Sequence, residues 1–81
     1  MDAAEIRAAV LATLKIIAPG LKENELKGDQ PLRSQVDLDS MDWLNVIVGL
    51  HEKLAIDVPE SDYGRLTTLN AVVSYFAEKL R

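Results

Sequence analysis

The residues whose types and spacing could do chemistry lie together in Asp37-Leu38-Asp39-Ser40-Met41-Asp42. This stretch closes a long polar loop and opens the most apolar helical segment of the sequence. Asp39 is a good N-cap, and Asp42, three residues on, is placed to complete an acidic version of the capping box. Ser40 then falls in the first helical turn with its hydroxyl facing outward. A serine there is a poor core residue but a good anchor for a phosphate, because unpaired backbone N–H groups and the helix dipole both favour negative charge. Ser40 is therefore the candidate functional residue, set against the plain alternative of an ordinary helix-start serine.

Other chemistries find less support. The one histidine, His51, lies mid-helix with no nucleophile near it in sequence, and reads as solvated or partner-facing. A calcium loop starting at Asp37 needs glycine at its sixth position and glutamate at its twelfth, where this chain has Asp42 and Val48. No glycine-rich phosphate loop is present, and with no cysteine there is neither a thiolate nucleophile nor a disulfide framework. The chain is expected not to be an enzyme. Trp43 reads equally well as core or as a partner contact. Tyr63 and Tyr75 are expected to cover the core with their rings and leave their hydroxyls wet.

The elements that must position Ser40 follow from periodicity. Ile6, Val10, Leu14 and Ile17 predict an amphipathic helix from about Asp2 to Ala18, ended by Pro19-Gly20. From Gly20 to Asp39 no period survives and Pro31 blocks a helix across the middle. This long loop is expected to be pinned by Leu21, Leu26, Leu32, Val36 and Leu38. A second helix is expected over Ser40 to Leu54, with Leu44, Ile47, Leu50 and Leu54 as its core stripe, Trp43 and Val46 widening it, and Met41 and Val48 on its flanks. Glu60 to Arg65 reads as a short helix begun by Pro59. Thr67-Thr68 caps a last helix carrying Leu69, Val72, Val73, Phe76 and Leu80. The expected fold is all-α, a small antiparallel bundle of three main helices plus one short helix, with the long loop between helices 1 and 2.

Composition narrows the rest. The 81 residues are expected to form a single domain, 1–81, and 48% apolar content is ordinary for a globular chain. No apolar run is long enough for a membrane span, and the N-terminal residues lack the pattern of a secretory signal, so a cytoplasmic location is expected. A formal charge of −4 repels phosphate backbones, which makes nucleic acid an unlikely partner and a basic protein surface a better one. With no spare apolar stripe, a monomer is expected.

On these residues the sequence resembles the acyl carrier protein family, four-helix carriers that bear 4′-phosphopantetheine on a serine. The resemblance spans nearly the whole chain. It is strongest in Val-Asp-Leu-Asp-Ser-Met-Asp at 36–42, Ile-Asp-Val-Pro at 56–59 and Thr-Thr-Leu at 67–69, which occur in the family's order and separations. It implies that Ser40 takes the phosphopantetheine arm from coenzyme A through a phosphopantetheinyl transferase, forming a phosphodiester. The arm's thiol then carries acyl groups as thioesters to a loading ligase or acyltransferase and other acyl-processing enzymes.

The resemblance further implies a partner-binding surface of Asp39, Met41, Asp42, Trp43, Asn45, Val48 and Glu52, and a possible shelter for the acyl chain among Ile47, Leu50, Val72 and Phe76. Asn45 and His51 stand where family members commonly have glutamate, and Lys53 adds a positive charge. This points to a specialised carrier rather than one serving bulk fatty acid synthesis. A helical interaction module without a prosthetic group and a polyketide or peptidyl carrier are the alternatives. The peptidyl carrier matches less well, since such carriers usually approach their serine through Leu-Gly-Gly and this chain does so through Val-Asp-Leu-Asp.

Overall fold

Asp2 starts the first helix by accepting the Glu5 N–H at 2.9 Å, while the Glu5 carboxylate takes the Asp2 N–H at 3.4 Å. This reciprocal capping box satisfies two of the donors that a helix start leaves unpaired. The computed structural model describes residues 2–80, so Met1 and Arg81, the ends of the expected 1–81 domain, lie outside it. Helix α1 runs Ala3–Ile17 and buries Ile6, Val10, Leu11 and Leu14. Three shorter elements and two long helices follow: a 3₁₀ turn at Glu23–Glu25, α2 at Leu32–Gln35, α3 at Ser40–Leu54, a 3₁₀ helix at Glu60–Arg65 and α4 at Leu69–Lys79. Among the described residues there is no β-strand, only one isolated bridge between Pro31 and Thr68. The all-α expectation with three main helices holds. Helix α1 packs against both α3 and α4, and α4 against the 3₁₀ helix.

The connection from α1 to α3 is more structured than the sequence indicated. Pro31 does not block a helix but precedes one, at φ −56°, and α2 begins at the next residue. A proline just ahead of a helical turn loses nothing, since its missing N–H would have had no intrahelical acceptor. Leu32, Val36 and Leu38 are buried and Leu21 and Leu26 pack against the core, so the expected anchors do hold this segment. Polar ties complete the job. Gln35 clasps the loop by accepting the Lys27 N–H at 2.6 Å and donating to the Lys27 carbonyl at 2.8 Å. The Leu32 N–H donates to the Thr67 carbonyl at 2.8 Å, and the Asn70 N–H to the Gly28 carbonyl at 3.0 Å, fastening the loop to the start of α4. A Cβ on Gly28 would come within 2.5 Å of the Asn70 side-chain oxygen, so a larger residue there would make that exposed side chain turn away.

Helix α3 ends at Ala55, which takes the left-handed conformation (φ 55°, ψ 40°). A Cβ is disfavoured there and glycine is the usual occupant. Ala55→Gly is expected to raise the unfolding free energy by about 0.5–1 kcal/mol, the relief of that conformation less the added entropy of the unfolded chain. Urea unfolding checks this, and a loss of stability would contradict it.

Tyr75 corrects another expectation. Its hydroxyl is not left wet: the residue is 1% exposed and donates to the Asp62 carboxylate at 2.7 Å, tying α4 to the 3₁₀ helix. Tyr63, by contrast, is half-buried. Burial first, and then the hydrogen bond to Asp62, push the Tyr75 hydroxyl up to about 12 from its ordinary 10. The folded state therefore binds this proton more tightly than the unfolded state does. Its contribution to stability is complete below pH 10 and is lost as pH rises through 12. An ultraviolet titration should resolve this tyrosine at the high value, and its ionisation at the ordinary value would contradict the assignment.

Candidate functional site

Ser40 is the first residue of α3, where the long connection from α1 ends. The chain enters α3 with Asp39 extended (φ −81°, ψ 179°), and its carboxylate accepts the Asp42 N–H at 2.8 Å. The reciprocal bond of a capping box is made in α1 but not recorded in α3. The aspartate at 42 is one methylene shorter than the glutamate that closes the box at the start of α1. Asp39 thus fixes the helix start, and the following residue, Ser40, is exposed in the first turn. A phosphate on its oxygen would lie at the positive end of a 15-residue helix, an attraction worth about 0.3–1 kcal/mol at an exposed site.

The other serines are less suited to take such a group. Ser34 spends its hydroxyl on the Pro31 carbonyl at 2.8 Å, and Ser74 lies within α4, away from any helix start. Ser61 is on the six-residue 3₁₀ helix.

The residues expected to meet partners do not share one face. Met41, Asn45, Val48 and Glu52 recur at i, i+4, i+7 and i+11, and all four are exposed along one side of α3. Asp42 and Trp43 are half-buried on another side, and Asp39 is the cap. Leu44 joins the exposed face at 42% exposure instead of the core stripe to which the sequence assigned it. Val46 takes the buried place with Ile47, Leu50 and Leu54. The missed signal was that Val46, Leu50 and Leu54 alone form an i, i+4, i+8 row, from which Leu44 is turned away. The result is an exposed apolar line of Met41, Leu44 and Val48 running from Ser40 down α3.

His51 has a structural tie that the sequence did not show. Its Nδ1 lies 2.8 Å from the Ile56 carbonyl and 3.3 Å from an Asp57 carboxylate oxygen, bracing the turn after α3. A neutral ring meets that carbonyl with Nδ1–H as donor.

Trp43 packs its indole partly on the core and also walls a groove of about 190 Å³ with Pro31, Arg33, Tyr63, Leu66 and Thr67. The core reading of this residue therefore holds in part. Ile47, Leu50, Val72 and Phe76, considered as a shelter for an acyl chain, are all buried within one packed cluster. A separate surface groove of about 370 Å³ reaches Ile47 from the side of Val48, His51, Val58 and Tyr63.

The family model described as "Phosphopantetheine attachment site" matches residues 3–76. The chain belongs to this family. Among solved structures it is similar to the solution structure of a proposed acyl carrier protein from Anaplasma phagocytophilum. The two are 26% identical, with a TM-score of 0.85, over 100% of this chain and 94% of that one. Membership of the phosphopantetheine attachment family makes the protein a carrier rather than an enzyme, with covalent 4′-phosphopantetheine as its prosthetic group. Carriers of this family work with a phosphopantetheinyl transferase and with acyl-processing enzymes. No helix among the described residues is long and apolar enough to cross a membrane.

Proposed function

We propose that the protein carries acyl groups as thioesters on a 4′-phosphopantetheine arm attached at Ser40. The observation that carries this reading is the exposed Ser40 hydroxyl at the capped start of α3. In the attachment step Ser40 Oγ forms a bond to phosphorus of coenzyme A, the pyrophosphate linkage breaks, and the adenosine bisphosphate leaves. The hydroxyl proton passes to a base on the transferase. The arm supplies a terminal thiol, the nucleophile that a cysteine-free chain lacks. Digestion and tandem mass spectrometry after reaction with coenzyme A and a transferase should place the added group on the peptide containing Ser40. Its recovery on a peptide bearing Ser34, Ser61 or Ser74 would refute the assignment.

The proposed partner surface centres on Met41, Asn45, Val48 and Glu52, extended by Leu44, with Asp42, Trp43 and the capping Asp39 at the Ser40 end. Asn45 and Lys53 dilute its negative charge, so docking depends more on the apolar line and less on steering by charge. This favours a dedicated ligase or acyltransferase of specialised lipid or secondary metabolism over the bulk fatty acid synthase. The approach through Val-Asp-Leu-Asp sets a peptidyl carrier second. We place the protein in the cytoplasm and expect the 1–81 unit to act as a monomer. Val48→Asp puts a charge on the apolar line without touching the core, since Val48 is 51% exposed. It should raise KM for the transferase or loading enzyme about tenfold, equivalent to ~1.4 kcal/mol, with kcat little changed. An unchanged KM would remove Val48 from the surface.

A further inference from the structure

The carboxylates around Ser40 pose a problem that the structure answers. Asp39 and Asp42 flank the serine, and only the Asp39 carboxylate is engaged, by the Asp42 N–H. A phosphodiester at Ser40 adds a negative charge among them, and the helix dipole alone offsets a small part of the repulsion. Arg33 is placed to offset more. Its Nε donates to the Leu38 carbonyl at 3.4 Å, which holds the guanidinium against the loop two residues before Ser40. Among the described residues Lys15 pairs with Glu23 and Arg65 with Glu78, His51 lies 3.3 Å from the Asp57 carboxylate, and none of these contacts uses Arg33. Its remaining N–H donors suit the oxygens of a phosphodiester.

We propose that Arg33 and Trp43 hold the phosphate-proximal part of the phosphopantetheine arm. Arg33 faces the phosphodiester and Trp43 receives the branched, methyl-bearing segment that follows it. Both residues line the groove of about 190 Å³. Trp43 is three residues along α3 from Ser40, so the two are neighbours on the helix surface. The far wall is Tyr63 and Leu66 at the 3₁₀ helix. The groove takes only the first part of the arm, and the thiol end extends beyond it. This inference rests on attachment at Ser40.

The test uses isotopically labelled protein before and after complete loading from coenzyme A with excess transferase, with intact mass confirming the loaded state. Loading should shift the Trp43 indole N–H and the Arg33 Nε–H resonances by more than a line width. In Arg33→Gln, driven to the same mass, the Trp43 shift should fall by at least half, and Arg33→Lys should restore part of it. Each loaded variant is compared with its own unloaded form, so a structural effect of the substitution cancels. Complete loading with both resonances unmoved, or a full Trp43 shift in Arg33→Gln, would overturn the proposal while leaving attachment at Ser40 intact. Failure of the wild type to gain mass would instead overturn attachment, and this proposal with it.

Discussion

Phe76→Ala is expected to unfold a large fraction of the molecules, about half, at room temperature. Phe76 is fully buried on α4 and meets the Tyr75 ring edge-on, with centroids 5.3 Å apart and the planes at 86°. It sits in the one cluster that joins α1, α3, α4 and the loop anchors Leu32, Val36 and Leu38. Removing a buried phenylalanine ring costs about 3–5 kcal/mol, through lost burial and the cavity left behind. A core of this size rarely supplies more than about 3–5 kcal/mol of net stability, so the two quantities nearly cancel. Leu44→Ala is the matched control. It removes an apolar side chain of similar class from the same bundle, but from an exposed position, and should change stability by less than about 1 kcal/mol. Urea unfolding of the pair checks the fold directly. Equal losses in the two variants would mean that the division of the apolar residues between core and surface is wrong.

That division marks how far the sequence could be read. Long helices were legible because their apolar residues recur over several turns. Asp2 and Ala18 flank α1 where the pattern ended, and Ser40 and Leu54 bound α3 as expected. Thr68 caps α4 by accepting the Ala71 N–H at 3.0 Å. Helix α2 was not legible, since four residues are too few for a period and Pro31 was read as a break rather than as a start. Leu44 was misplaced because a wide apolar face hides which of its edges turns outward. The bonds of Tyr75 to Asp62 and His51 to Ile56 join residues whose approach depends on how the connections fold, and no local pattern announces them. At the candidate site, the position of Ser40 was legible from the cap and the apolar run behind it. The groove formed by Arg33 and Trp43 was not, because α2 had first to bring Arg33 back toward the start of α3.

Ser40→Ala should abolish loading by a phosphopantetheinyl transferase while leaving the fold in place. The loss is complete in principle, because the hydroxyl oxygen is the atom that forms the bond to phosphorus. The fold should not notice, because the structure assigns the capping role to the Asp39 side chain and leaves Ser40 exposed. Alanine also has a higher helix propensity than serine, so a small gain in stability, a few tenths of a kcal/mol, is expected. Asp39→Ala behaves in the opposite way. It removes the N-cap, costs about 1 kcal/mol, and disturbs the turn that presents the serine.

The most direct test of the carrier assignment at Ser40 is the intact mass of wild type and Ser40→Ala after reaction with coenzyme A and a broad-specificity phosphopantetheinyl transferase. The account predicts a gain of one phosphopantetheine on the wild type and none on the variant. A wild type left unmodified by several transferases, or a Ser40→Ala variant that gains the same mass, would contradict it.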